Sequence, residues 1–182
     1  YHTFKIVDEK MTISIDSMGP IRMDTAFKLS VVPYFREVAR RIGKETMQHW
    51  LDSLQYGNKQ IGAAVDSFWL NNTLTVRPDE QLGLVKKLYF GQLPFQKRSQ
   101  EMVKMLMLQT ANTNYKLSYK SGLSYKQNGK AVAWIVGWIE ENKHPYFFVL
   151  QTEGAASSDI KNVSMSVLNK ILKSQGFFEG KR

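Results

Sequence analysis

Residues 114–152, NYKLSYKSGLSYKQNGKAVAWIVGWIEENKHPYFFVLQT, constrain the fold more than any other stretch of this chain. Tyr115, Leu117 and Tyr119 alternate with smaller or polar residues. Residues 131–139 form a continuous apolar run rich in Val, Ile and Trp, and residues 146–150 form another. Period-2 patterning with β-branched and aromatic side chains predicts three strands. Asn128-Gly129 suits a turn that needs positive φ, so the first two strands form a hairpin. A polar break at residues 141–144 precedes the third. The stretch therefore reads as an antiparallel meander with a sharply charged strand end.

Lys120-Ser121-Gly122 lies late on the first of these strands. The lysine offers a ligand a cation, the hydroxyl a hydrogen bond, and the glycine a close approach to the backbone. On the triplet alone, the plainer reading is a strand that ends with a glycine.

A chain of 182 residues with 43% hydrophobic content is long and apolar enough for one globular domain, residues 1–182, with a real core. No apolar run approaches the ~20 residues of a membrane span. Cysteine is absent, and His2, His49 and His144 are scattered without ligand spacing, so no metal site is expected. The net charge of +9 admits nucleic acid, an anionic surface or an anionic small substrate. Its densest group, Arg36, Arg40, Arg41 and Lys44, reads as one solvated helix face. No groove-reading motif or basic stripe with interleaved aromatics accompanies it, which argues against nucleic acid.

Upstream, Met11, Ile13 and Ile15 alternate with polar residues as a strand over 10–16, broken by Met18-Gly19-Pro20. A short helix is predicted over 23–29. A second runs from Pro33 to a stop at Gly43, with Phe35, Val38, Ala39 and Ile42 on one face. A third covers 45–54. Residues 59–76 carry too many interruptions for a regular element and read as a structured loop. Pro78, with Asp79 and Glu80 behind it, opens a helix that Gly91 closes. Residues 96–109 form another, with Met102, Val103, Met105 and Leu106 inward. After the meander, Ser158 can cap a last helix whose Ile160, Val163, Val167, Leu168, Ile171 and Leu172 form an apolar stripe. The plan is α+β: helices between strands, with the last helix packed on the sheet.

Five motifs stand in one order: Ser30-Val31-Val32, Tyr56-Gly57-Asn58, Phe68-Trp69-Leu70, Lys120-Ser121-Gly122 and Trp134-Ile-Val-Gly-Trp138. With the connecting text, the chain over residues 6–176 resembles the class D serine β-lactamases, and shares much of the pattern with penicillin-sensing receptor domains. The resemblance implies the penicillin-recognising (β-lactamase/transpeptidase-like) fold, with the site between the sheet edge and a helical lobe. It implies β-lactam small molecules as ligands, hydrolysis through a serine acyl-enzyme, and an exported natural protein. Ser30 would belong to the proton relay with the nucleophile and the leaving nitrogen, and Lys120 would count among the catalytic residues. Lys120 and Ser121 would bind the substrate carboxylate, and Gly122 and Val32 would line the site. The backbone N–H of Leu123 would supply half the oxyanion hole, a donor whose loss costs about 3–4 kcal/mol elsewhere. Trp69 would hold the family's general-base lysine, which is carboxylated by carbon dioxide; no other cofactor is implied. Tyr56 would shape the wall beside it.

The family places an S-x-x-K nucleophile motif ahead of Ser30. The nearest text, His2-Thr3-Phe4-Lys5-Ile6, resembles it with His for the serine and Lys5 for its lysine. Either the chain begins after the motif, or the buried helix that follows the motif in the family is deleted and the serine replaced; the text after Lys5 favours the first. The literal S-x-x-K, Ser158 to Lys161, is out of order and reads as a helix cap. Ser121 replaces the usual threonine, and Ser164 falls near the family's carboxylate-binding arginine. Those departures leave a non-hydrolytic sensor or a pseudo-enzyme as the alternative. Lacking the family's N-terminal strands, the sheet would keep an open edge, through which the chain would self-associate.

Overall fold

The computed structural model describes residues 13–15, 19–126, 128–155 and 159–182. His2, Lys5 and Ser158 lie outside them. Strand β1 (Ile13–Ile15) pairs antiparallel with β2 (Gly19–Ile21), so the Gly19-Pro20 expected only to break a strand begins a second one. Helices α1 (Met23–Leu29), α2 (Val32–Ile42), α3 (Lys44–Leu54), α4 (Pro78–Tyr89) and α5 (Lys97–Met107) follow. Then come β3 (Leu108–Ala111), β4 (Lys116–Tyr125), β5 (Lys130–Glu141), β6 (His144–Ala155) and α6 (Ile160–Ser174).

The sheet has order β3-β4-β5-β6 and is antiparallel throughout. The expected meander is there, longer than expected. Gly122 does not end its strand: β4 continues to Tyr125, because its partners on β5 run without interruption to Ala131. Strand β3 begins at Leu108 and Gln109, the two residues with which the sequence pattern ends a helix over 96–109. Its Leu108-Gln109-Thr110-Ala111 continues the helical pattern locally, and only pairing with β4 makes it extended. The polar break before β6 is a two-residue turn in which Asn142 and Lys143 hold φ of 48° and 67°. The charged strand end is not solvated: Glu141 is buried and accepts hydrogen bonds from the backbone N–H groups of Phe178 (2.6 Å) and Arg182 (3.2 Å). That carboxylate fastens the chain's last turn to the sheet.

Central strand β5 is buried on both faces, as its unbroken apolar run requires. One face packs Leu117, Ile135 and Ile139 against Leu168, Leu172 and Phe177, on and just after α6. The other packs Trp138 and Val136 against Val85, Met107, Tyr89 and Phe27 of the helical lobe. Gly137 stands where the strands come too close for a side chain: a Cβ there would lie 2.0 Å from the Ser118 carbonyl oxygen. On α6 the expected stripe is only half right. Ile160, Leu168 and Leu172 are buried, but Val163 and Ile171 are exposed and Ser164 takes a core position. On α5, Met102 and Met105 face solvent, while Gln100 and Met107 are buried. On α2, Ile42 is exposed and Tyr34 is the fully buried residue.

The loop at residues 59–76 has its own small core of Ile61 and Phe68 packed on Leu51, with Trp69 beside them. The basic face of α2 holds it. Arg40 and Arg36 donate to the Asp66 carboxylate at 2.5 and 3.1 Å, so these cations are clamps on the loop rather than a purely solvated face. Arg41 pairs within its own helix, with Glu37. Burial pushes the Asp66 carboxyl up, but the hydrogen bonds from Arg40 and Arg36 outweigh it and hold the pKa below the ordinary value.

Candidate active site

The site is organised by an edge that the fold leaves open. Strand β3 pairs with β4 only from Lys116 to Ser118, so among the described residues no strand pairs with the outer edge of β4 from Tyr119 to Tyr125. Peptide groups along a strand face alternate edges. The carbonyls of Tyr119, Ser121 and Tyr125 are all bonded away from β5, by Gln109 Nε2 (3.2 Å), Lys120 Nζ (2.8 Å) and Asn72 Nδ2 (2.5 Å). The same alternation turns the Leu123 N–H and C=O toward this open edge.

Side chains alternate too. Lys120 and Gly122 pair with Val136 and Trp134 on the lobe-facing side, whereas Ser121 and Leu123 pair with Ile135 and Ala133 on the α6 side. The carbonyl of Ser121, rather than its hydroxyl, bonds the Lys120 ammonium.

Ser30 reaches Lys120 because α1 ends in a tight turn. The Val31 N–H bonds the Ala26 carbonyl at 2.9 Å and the Ser30 N–H bonds that of Phe27 at 3.3 Å, which puts Ser30 in the left-handed region at φ 55°. A serine there is strained by about 1 kcal/mol relative to glycine. Lys120 Nζ donates to Ser30 Oγ in a short hydrogen bond and lies 5.6 Å from the Phe27 ring centroid. Burial is the larger cause, and repulsion from Lys161 the smaller, of a Lys120 pKa below the ordinary lysine value.

Three cavities meet at Lys120, two of them bordered by the β4 edge beyond it. One, of 720 Å³, is lined by Ser30, Val32, Trp69, Lys120, Leu123 and Lys161, among others. The second, of 390 Å³, runs under the loop and is lined by Tyr56, Trp69, Asn72, Gln81, Lys120 and Trp134, among others. Ser121 and Gly122 border both. The residues singled out in the sequence are thus brought together, with Tyr56 set apart on the inner cavity. Its hydroxyl donates to Gln81 Oε1 at 2.5 Å, and burial, then the Glu80 charge, pushes its pKa up to about 12. Beside it, Gly57 at φ 55° is obligatory, since a Cβ would lie 2.1 Å from the Thr75 carbonyl oxygen. The Asn58 amide then staples the loop, donating to the Thr73 carbonyl and accepting from the Thr75 N–H.

Sequence reasoning missed Phe27, Asn72 and Gln81, and placed Lys161 only in a helix start away from the cleft. Phe27 was readable as the residue one helical turn before Ser30; nothing in the local text marks Asn72 or Gln81. Ser164, expected near the cleft by spacing, is buried beneath the sheet, where it donates to the Ile160 carbonyl and pairs with the Thr152 hydroxyl. Among the described residues, no group of three or more His, Cys, Asp or Glu side chains could hold a metal ion.

Residues 5–173 match the family model of the penicillin binding protein transpeptidase domain. The chain is 36% identical over 151 residues to the β-lactamase OXA-48 of Klebsiella pneumoniae, covering 83% of this chain and 56% of that protein. It is 30% identical over 149 residues to the regulatory protein BlaR1 of Bacillus licheniformis, covering 80% of this chain and 25% of that protein. The crystal structure of the class D β-lactamase FUS-1 (OXA-85) from Fusobacterium nucleatum subsp. polymorphum superposes with a TM-score of 0.84 at 29% identity, covering 98% of this chain and 73% of that one. The chain thus spans little more than half the length of OXA-48.

Proposed function

Given that the chain belongs to the penicillin-binding protein transpeptidase domain family and has the class D β-lactamase fold, we propose that the protein recognises β-lactams at the open edge of β4. In this reading the intact protein hydrolyses them through a serine acyl-enzyme. The observation that carries this reading is the bond from Lys120 Nζ to Ser30 Oγ, set on an uncovered strand edge toward which the Leu123 N–H is turned.

The chemistry follows from those groups. A serine hydroxyl adds to the lactam carbonyl carbon, and the carbonyl oxygen takes the developing negative charge. The Leu123 N–H stabilises that oxyanion, a contribution of about 3–4 kcal/mol where one such donor has been removed. The proton of the attacking hydroxyl passes to the carboxylated general-base lysine, the C–N bond breaks, and the leaving nitrogen takes the Ser30 proton while Lys120 resupplies it and regains its own from solvent. A lysine that burial has made less basic gives up that proton more readily. Water then cleaves the acyl ester. The base for that step is a lysine carboxylated by carbon dioxide, for which Trp69, bordering both cavities, forms one wall. The nucleophile and that lysine are not assigned to described residues; Lys5 is the lysine that the sequence offers. Because the drugs act outside the cytoplasm, the natural protein is exported to the periplasm or beyond. No helix among the described residues is long and apolar enough to cross a membrane. Among the described residues the outer edge of β6 pairs with no strand, so self-association through it is part of the proposal.

A sensor that is acylated and not turned over is the second reading. The burial of Ser164, which leaves no cation at that position of α6, and the similarity to BlaR1 favour it. Two measurements on the intact protein separate the readings: steady-state hydrolysis of a chromogenic cephalosporin, and intact mass after incubation with a penicillin. Turnover that falls at least ~100-fold in Ser30→Ala supports the hydrolase. A lasting adduct without turnover selects the sensor. Neither turnover nor adduct overturns both.

A further inference from the structure

Among the described residues, one side-chain hydrogen bond joins the loop at 59–76 to the sheet: Asn72 Nδ2 donates to the Tyr125 carbonyl at 2.5 Å, across 53 positions of sequence. Its two ends are held unequally. Tyr125 closes β4 and pairs with Ala131, in a register with β5 that runs unbroken from Lys116. Its carbonyl is the fixed end. The loop is anchored on its far side, where Asp66 meets Arg36 and Arg40 of α2 and where Ile61 and Phe68 pack on Leu51 of α3. From 69 to 72 its backbone hydrogen bonds stay within the loop: the N–H groups of Leu70 and Asn71 both donate to the Ser67 carbonyl, at 2.8 and 3.2 Å. Asn72 stands at φ 62°, in the left-handed region that asparagine enters more readily than most residues. Asparagine is therefore suited twice, since its backbone accepts the turn and its amide supplies the donor. The bond also lies on the seam between two cavities. Asn72 borders the one of 390 Å³, Tyr125 the one of 720 Å³, and Trp69 both.

We infer that Asn72 is a positioning residue: by tying the loop to the end of β4, it fixes the Trp69 wall relative to the Leu123 N–H, two residues earlier on the same edge. The inference deepens the β-lactam reading and rests on it. Its effect falls mainly on one half of the reaction. In acylation the first proton leaves a hydroxyl that the protein itself holds. Ser30 and Lys120, which relay the second, stand at the end of α1 and on β4 rather than on the loop. In hydrolysis of the ester the proton leaves a free water, which has no covalent link to the protein and is placed by the walls around it. A wall that drifts therefore costs the second step more than the first.

The test follows formation and loss of the benzylpenicillin adduct of the intact protein by quenched intact mass, which reads short and long lifetimes alike. Asn72→Asp keeps the shape and the left-handed turn but sets a carboxylate against the Tyr125 carbonyl. Asn72→Gly keeps the turn and removes the side chain without adding charge. In both, loss of the adduct should slow about tenfold, short of the ~100-fold cost of a ~1 Å misplacement, while formation changes less than about twofold. Before any drug is added, amide hydrogen exchange at residues 69–75 should quicken in both variants, with the β4–β5 ladder unchanged. The bond is solvent-exposed, so thermal melts should stay close to that of wild type. Equal slowing of formation and loss, slowing in Asn72→Asp alone, no slowing in either, or unchanged exchange at residues 69–75 overturns the positioning role and leaves the β-lactam reading intact. A wild-type protein that forms no adduct overturns that reading and this inference with it.

Discussion

The two faces of the one sheet are built on opposite principles. Against α6, the sheet buries Ile135, Ile139, Leu168 and Leu172 in one continuous apolar cluster. Against the helical lobe, packing is good only near Trp138. Farther along, cavities of 720, 390 and 460 Å³ converge on a single lysine, Lys120. Both faces come from the same strands, with alternate residues assigned to each. The α6 face supplies rigidity. The lobe face keeps space, a strained serine and an uncompensated cation, which are costs that a stabilising core avoids and a ligand site uses.

Substitutions can break this contrast, beginning with the one that damages both faces. Gly137→Ala forces a Cβ against the Ser118 carbonyl between paired strands. It should cost about 3 kcal/mol or more and, in a urea melt, remove the cooperative transition. A normal melt would show that the β4–β5 contact is looser than described. Leu168→Ala should cost about 3 kcal/mol through the cavity it leaves on the α6 face, with ligand affinity unchanged in the folded fraction.

Lys120→Met should do the reverse. Penicillin binding should fall about 100-fold through loss of the cation, with no loss in the melting midpoint. It should also remove a pH dependence. The folded pKa of Lys120 is depressed below 10.5, so its charged form disfavours folding at pH below that depressed pKa. The penalty fades as pH rises toward 10.5. Stability of the wild type relative to Lys120→Met should therefore rise through that alkaline window. A flat difference would place Lys120 in a more solvated setting.

The smallest effect should come from Asp66→Asn. It loosens the clamp of Arg36 and Arg40 on the loop that carries Phe68 and Trp69, costing about 1 kcal/mol because both arginines stay partly solvated. The folded pKa of Asp66 is lowered, so its contribution is present above the unfolded value of 3.8 and is lost as pH falls through the depressed folded pKa. Hydrogen exchange at residues 59–76 should report the loosening before the global melt does.

What could be read from the sequence follows the range of the forces involved. The meander and the helices were legible because period and turn residues are local, and the ordered motifs of the family resemblance singled out Ser30 and Lys120 separately; the bond between them is a finding of the structure. The tertiary choices were not. Strand β3 owes its extended form to a partner, not to its own residues. Arg36 and Arg40 meet an acid some thirty positions away, on a loop without regular structure. Ser164 sits in the core because Thr152 and the Ile160 carbonyl satisfy its hydroxyl, a pairing no periodicity announces. Lys161 looked like part of a helix start and gained its significance only when α6 docked beside the end of β4.

The most direct test of the division between the faces is backbone amide NMR of the intact protein titrated with benzylpenicillin. Shifts confined to Ser30, Trp69, Lys161 and the β4 edge from Tyr119 to Tyr125, with Ile139, Leu168 and Leu172 unmoved, are what this account predicts. Shifts centred on the α6 face, or none anywhere at saturating drug, would contradict it.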